Sequence, residues 1–378
     1  MADDTLALGL EGVTVGETRL SRVDGEAGEL VIGGFPLEEL APHARFEETL
    51  YLLYEDRLPD AAELNAFEAR LIERRTVPEA TVDLLRAAAE ADQDPMDALR
   101  MGAAAASNAR GPDEDPERDA LLLVAQFPTI VAAYWRLRNG EDPVEPRDDL
   151  GHAANYLYML TGEEPDDAAA RGLATYLNSV VDHGLNASTF TARTIVSTES
   201  DVVSAVTGAV GALKGPLHGG APGPVLEMLL EVESAGDPEA VLREKLEAGE
   251  RLMGFGHRVY KVRDPRAAVL SAAAERFYED ADDRAFFEMA GDVESTAVDL
   301  LVEHKPGRAL ETNVEFYTAV LLHGVGVPRE LFTTTFGISR VGGWTAHCLE
   351  QLADNRLIRP RARYVGDTGR TWANVEDR

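Results

Sequence analysis

At 378 residues and 45% apolar content, the chain is long enough for about two or three domains and too rich in periodic apolar segments to be disordered. It carries 67 Asp and Glu against 36 Lys and Arg, a formal net charge of −31. Such a surface repels nucleic acid and anionic membranes, which excludes both as partners.

Lys214, Lys245, Lys261 and Lys305 are the only lysines, and so acidic a surface calls for counter-ions, as in a salt-rich cytoplasm. Cys348 stands alone, so no intrachain disulfide forms, which fits a reducing interior. Asp3-Asp4 opposes a secretory leader, and a cytoplasmic enzyme is expected.

In chain order, residues 5–35 alternate apolar and polar with Gly breaks (Leu8, Leu10, Val13, Val15, then Leu30 to Ile32), which predicts short β-strands. After Pro36 the period becomes helical over Pro36–Leu40, Arg45–Tyr54, Ala61–Glu73, Glu79–Ala91 and Pro95–Ala109. Pro59, Pro78, Pro95 and Pro112 punctuate these segments. The run from Leu121 to Leu137 contains Gln126 and Pro128 and ends beside Arg136 and Arg138. It reads as a buried helix, since a membrane span needs about 20 apolar residues. Further helices are predicted over 149–161, 166–181, 200–212, 223–234, 238–249, 265–280, 283–304, 313–324, 328–336 and 337–353, with an extended tail from Arg359. The chain is mainly all-α with a small N-terminal β segment.

Three histidines sit in glycine-marked polar settings: His183 in Asp182-His183-Gly184-Leu185-Asn186-Ala187-Ser188, His218 in Gly215-Pro216-Leu217-His218-Gly219-Gly220, and His257 in Met253-Gly254-Phe255-Gly256-His257-Arg258-Val259-Tyr260-Lys261. In the last, Gly254 and Gly256 let backbone N–H groups approach a ligand, and Asp264-Pro265-Arg266 opens a helix that presents a guanidinium fork. His43, His152, His304, His323 and His347 have no such context. No H-E-x-x-H pattern offers a metal site, and neither glycine cluster completes a nucleotide-phosphate loop. Metal and nicotinamide chemistry are therefore not expected.

Together these segments resemble the citrate synthase family. The resemblance continues through Asn313-Val314-Glu315-Phe316-Tyr317, Ser339-Arg340 with Gly343-Trp344, and Arg359-Pro360-Arg361, in order over roughly residues 20–370. It implies condensation of acetyl-CoA with oxaloacetate and hydrolysis of the citryl thioester, with no cofactor, because the CoA thioester is a substrate. A thioester methyl is a weak carbon acid, so a carboxylate base must act while a donor stabilises the enolate oxygen. The resemblance makes Glu315 that base, His218 that donor, and His257 the group that polarises the oxaloacetate ketone. His183, Asn186 and Ser188, with Arg266, Arg340 and Arg359, bind oxaloacetate. Leu252, Met253, Gly254, Phe255, Gly256, Lys261, Arg308 and Asn313 contact coenzyme A. Arg359 reaches the partner's site in a homodimer whose active site is shared between subunits.

Where the family has an aspartate, this chain has Glu315. The extra methylene carries the carboxylate roughly 1.3 Å further, and a displacement of about 1 Å costs on the order of 10²-fold in rate. Gly33-Gly34-Phe35 also departs from related chains, which often carry an Arg before the Gly. The resemblance further implies a two-domain helical fold, with residues 1–218 and 323–378 in a large domain and 219–322 in a small one, and with hinges at Gly215, Gly219, Gly220 and Gly324. Two other functions share these features: 2-methylcitrate synthase, using propionyl-CoA, and an inactive helical dimer serving as a binding scaffold.

The charge yields a prediction. At 0.01 M salt the Debye length grows to about 30 Å, and the acidic residues repel one another. Dialysis into dilute buffer is expected to inactivate the protein and molar KCl to stabilise it, as measured by thermal melts. A melting temperature independent of KCl would make the acidic surface incidental.

Overall fold

The computed structural model describes residues 6–110, 115–219, 222–256, 259–260, 262–279, 283–305 and 310–378. Among them, β1 (Ser21–Asp24), β2 (Glu29–Ile32) and β3 (Phe35–Pro36) form an antiparallel sheet with Ser21 opposite Ile32 and Val31 opposite Pro36. Among the described residues before 20, the expected strands do not form. Gly9, Leu10 and Gly12 take positive φ, which breaks the extended path a ladder needs, and Leu8–Leu10 is a 3₁₀ turn.

The helices follow in order: α1 (Leu37–Leu40), α2 (Phe46–Glu55), α3 (Ala61–Ile72), α4 (Glu79–Glu90), α5 (Pro95–Ala105), α6 (Pro116–Arg138), α7 (His152–Thr161), α8 (Asp167–Val180), α9 (Ala187–Val196), α10 (Val202–Leu213), α11 (Pro222–Ala235), α12 (Pro238–Glu247), α13 (Pro265–Tyr278), α14 (Arg284–His304), α15 (Val314–Gly324) and α16 (Phe332–Ala353). Acidic residues start many of them. Asp60, Asp94, Asp115, Asp166, Asp201, Asp237 and Asp264 each accept a first-turn N–H, the placement that also suits the positive end of the helix dipole.

Two helices differ from the sequence expectation. α9 is absent from the predicted elements; it begins where Asn186 accepts the N–H of Thr189. α16 is one helix where two are expected, because Gly337 does not stop it. There the missing Cβ serves packing: a Cβ at Gly337 would lie 3.0 Å from a Leu99 methyl.

α6 forms the centre of the core, with Leu121, Leu123, Val124, Phe127 and Ile130 buried and α3, α4, α5, α7 and α16 around it. By length and composition it would cross a membrane, yet 83% of its most apolar window is buried inside the protein. α11 packs on α12, α14 and α15, and α13 on α15, while α8 meets both α13 and α15. The hairpin of β1 and β2 closes against the loop before α13, where a Cβ at Gly25 would meet the Val259 carbonyl oxygen at 2.2 Å.

Candidate active site

Helix ends converge on a cavity of about 720 Å³. The loop entering α9 brings His183 and Asn186, the turn leaving α10 brings His218, the starts of α13 and α15 bring Arg266 and Glu315, and a face of α16 brings Arg340. Six residues singled out from the sequence, the first at 183 and the last at 340, thus line one space. Leu10 and residues 13–16 close one side of it.

Glu315 sits in the first turn of α15, where Asn313 accepts its N–H at 2.9 Å. Its carboxyl is pushed up to about 7. Burial is the main cause and Asp264 adds to it, while Arg266 and Arg340 oppose it. His218 moves the other way, pulled down to about 4 by burial and then by Arg340. At neutral pH it is therefore an uncharged imidazole that can donate a hydrogen bond without adding a charge. Its Nε2 lies 2.8 Å from the Ser188 hydroxyl, which donates to Asn186 Oδ1 at 2.8 Å and accepts from the Trp344 indole N–H at 3.0 Å. Ser188 is buried, so it acts on the site through His218.

The arginines are buried and differently held. Arg340 donates from Nε to the Val180 carbonyl at 2.7 Å; burial lowers it to about 10, so it stays charged at neutral pH. Arg266 gives Nε and Nη2 to the two oxygens of Asp264, at 3.0 and 2.8 Å. One edge of the fork expected to meet a substrate is thereby occupied within the chain. Asp264 is also the N-cap of α13, so one carboxylate starts the helix and aims the guanidinium. Tyr260 joins the set: its hydroxyl is 3.1 Å from His183 Nε2, and Arg266 lies 5.8 Å from its ring centroid. Sequence reasoning assigns neither Asp264 nor Tyr260 a role, although both stand in the motifs that carry the family resemblance.

In the strip expected to face coenzyme A, backbone groups at Gly254 and Gly256 are bonded within the chain. Gly256 donates its N–H to the Glu311 carbonyl at 2.7 Å, and Phe255 bridges to Thr312. Asn313 donates its backbone N–H to the Gly254 carbonyl and its side-chain amide to the Gly256 carbonyl. The glycines are needed for conformation, with φ of 90° at Gly254 and 77° at Gly256. Leu252 is buried, Met253 is half-buried against the core, and residues 252–256 do not line the cavity. His257, Lys261 and Arg308 lie outside the described residues, as does Gly220. Arg359 lies on a second cavity of about 820 Å³ with Arg19, Arg193 and Arg356, which shares Leu10, Val15 and Phe190 with the first. Among the described residues no group of three or more His, Cys, Asp and Glu is arranged to hold a metal.

The chain matches the sequence pattern of the family described as citrate synthase, C-terminal domain, over residues 9–361. It is 45% identical to the citrate synthase of Haloferax volcanii, covering 99% of both chains. It is 38% identical to a citrate/2-methylcitrate synthase of Bacillus subtilis, over 95% of this chain and 96% of that one. Its fold superposes with a TM-score of 0.87 on citrate synthase from Pyrobaculum aerophilum, at 39% identity over 98% of this chain and 95% of the other. The TM-score is also 0.87, at 29% identity over 98% and 99%, with the Thermoplasma acidophilum citrate synthase solved as a ternary complex with carboxymethyl coenzyme A and oxaloacetate.

A base acts only when ionised, so a carboxyl titrating at about 7 loses activity as pH falls through that value. For chemistry that uses Glu315 as base, kcat/KM is expected to show an acidic limb near pH 7, which Glu315→Gln removes together with most of the rate. A limb near the ordinary carboxylate range, or near-normal turnover in Glu315→Gln, assigns the proton transfer elsewhere.

Proposed function

Because the chain belongs to the citrate synthase family, whose members are acyl-transferring enzymes, we propose that it condenses acetyl-CoA with oxaloacetate and hydrolyses citryl-CoA to citrate and CoA. One observation carries this reading: a carboxyl raised to about 7 and a neutral imidazole share a cavity with two buried guanidinium groups. The first pair suits enolisation, and the second suits a substrate with two carboxylates.

In this mechanism Glu315 takes a proton from the thioester methyl while the His218 ring N–H stabilises the oxygen on which charge develops. The enolate carbon attacks the oxaloacetate ketone, and that oxygen gains a proton, by the family resemblance from His257. Water then cleaves the thioester. Arg340, Arg266 and His183 hold oxaloacetate with its ketone toward the enolate. A domain of about residues 219–322 closes on the rest, expelling water that would reprotonate the enolate. The packing of Gly219 and Gly324 bears on their use as hinges: a Cβ would lie 2.4 Å from the Leu213 carbonyl oxygen and 2.5 Å from the Tyr278 hydroxyl, respectively.

A second reading, 2-methylcitrate synthase acting on propionyl-CoA, is favoured by the Bacillus relative named for both activities. The two substrates differ by one methylene, worth only about 1–3 kcal/mol of discrimination. The protein is expected to release CoA from acetyl-CoA only when oxaloacetate is present. Faster turnover of propionyl-CoA moves the assignment to the sister activity, and release without oxaloacetate removes both.

On the same reading the enzyme works as a homodimer in a salt-rich, reducing cytoplasm. Support for the dimer is the tail beyond α16, which leaves Leu357, Tyr364, Val365 and Trp372 exposed in the single chain. Arg359, on that tail, serves the partner's site. Mixing inactive Arg359→Leu with inactive His218→Ala subunits is expected to restore part of the activity; mixtures that stay dead argue against a shared site.

A further inference from the structure

From Arg193, Glu350 and Gln351, which line the second cavity, a directed chain of buried and part-buried hydrogen bonds runs to the loop that carries His183. Arg193 donates from Nη1 to the Glu350 carboxylate at 2.6 Å and lies 3.1 Å from His347 Nδ1, and its Nε donates to Gln351 at 3.0 Å. A guanidinium has no acceptor, so His347 Nδ1 must accept, and the proton of a neutral ring then sits on Nε2. That nitrogen is 3.1 Å from Asp182 Oδ1. The other oxygen of Asp182 accepts the Ser21 hydroxyl at 2.5 Å, and the Ser21 oxygen accepts the Gly184 N–H at 2.9 Å. Both Asp182 and His347 are fully buried. Burial would raise the Asp182 carboxyl, but His347, Ser21 and Arg340 outweigh it and hold it below its ordinary value.

The path pins the segment that carries His183. Arg340 bonds the Val180 carbonyl, the Gly343 backbone presses so close that a Cβ would lie 2.2 Å from the Val181 oxygen, and His347 bonds Asp182. Residues 340, 343 and 347 occupy one stripe of α16. At its far end, Gln351 Nε2 donates to Asn355 Oδ1 at 3.2 Å, just before the tail with Arg359.

We propose that His347 and Asp182 are positioning residues for oxaloacetate: they set the place of His183 and its loop against Arg340 without touching substrate. This rests on the function proposed above. The charge pair of Arg193 and Glu350 fixes the His347 tautomer, so it belongs to the same device.

The test uses the full-length protein, with oxaloacetate binding measured by calorimetry without acyl-CoA, and with KM for both substrates, kcat and the melting temperature. In His347→Leu, oxaloacetate Kd and KM are expected to weaken roughly 10-fold to 10²-fold, with acetyl-CoA KM unchanged. His347→Gln, whose amide reproduces the acceptor toward Arg193 and the donor toward Asp182, is expected to recover most of that loss. A lower melting temperature with wild-type oxaloacetate Kd and KM reduces the pair to a stability role and overturns the proposal. If the leucine variant does not fold, Asp182→Asn is measured in the same way: weakened oxaloacetate binding supports the proposal, and wild-type binding overturns it. A wild-type protein that binds no oxaloacetate overturns the proposed function itself, an outcome distinct from failure of the variants alone.

Discussion

The site depends on how α16 is fastened to the loop between α8 and α9. Three successive carbonyl or carboxylate groups, at Val180, Val181 and Asp182, meet Arg340, Gly343 and His347. Helical spacing puts those three residues on one face, and their partners are consecutive along an irregular strip of chain. These contacts fix Arg340 relative to His183, the geometry on which the proposed recognition of a dicarboxylate rests. The contacts are buried, so each unmade hydrogen bond costs its full desolvation, and the register has no cheap alternative.

Around that frame the cavity separates the ionisation of its two central groups. The same burial that raises Glu315 to about 7 lowers His218 to about 4, because burial penalises whichever form is charged. Arg340 acts on both: it stabilises the carboxylate and opposes an imidazolium. A carboxyl titrating near neutrality and a neutral imidazole lining one cavity are the combination that the proposed carbon-acid chemistry requires. Arg266 is tied to Asp264, which reduces its freedom while leaving its charge in the cavity. The glutamate at 315 fits this arrangement through its place in the first turn of α15, where the helix dipole favours the ionised form.

Part of the acidic surplus has a local use. Seven Asp side chains cap helix starts, and Asp182, Asp264 and Glu350 are engaged by basic partners or by His347 inside the protein. Much of the remaining charge lies outward, and exposed pairs such as Arg22 with Glu29 contribute little at high dielectric. The sign of the surface therefore bears on solubility and salt response rather than on the fold.

The class of fold, most helix positions and the six cavity residues His183, Asn186, His218, Arg266, Glu315 and Arg340 are legible in the linear chain. Helical periodicity is local, and the motifs hold their residues in fixed order, so both can be read without distant partners. The reading fails where the deciding contacts are distant. The strands expected before residue 20 lack the backbone path, α16 runs through a glycine that packing needs, and α9 depends on an Asn cap. His347 looks ordinary in sequence because its partners, Asp182 and Arg193, lie 165 and 154 residues away. Whether a histidine is solvated, orphaned or bonded is settled by burial and by which donor faces it, and those are properties of the packed chain. Folding likewise ties Arg266 to Asp264, spends the amide of Gly256 within the protein, and turns Arg359 toward a different cavity in its own chain. In each case the residue type is readable from the sequence, while the partner that completes its chemistry is brought to it only by tertiary packing.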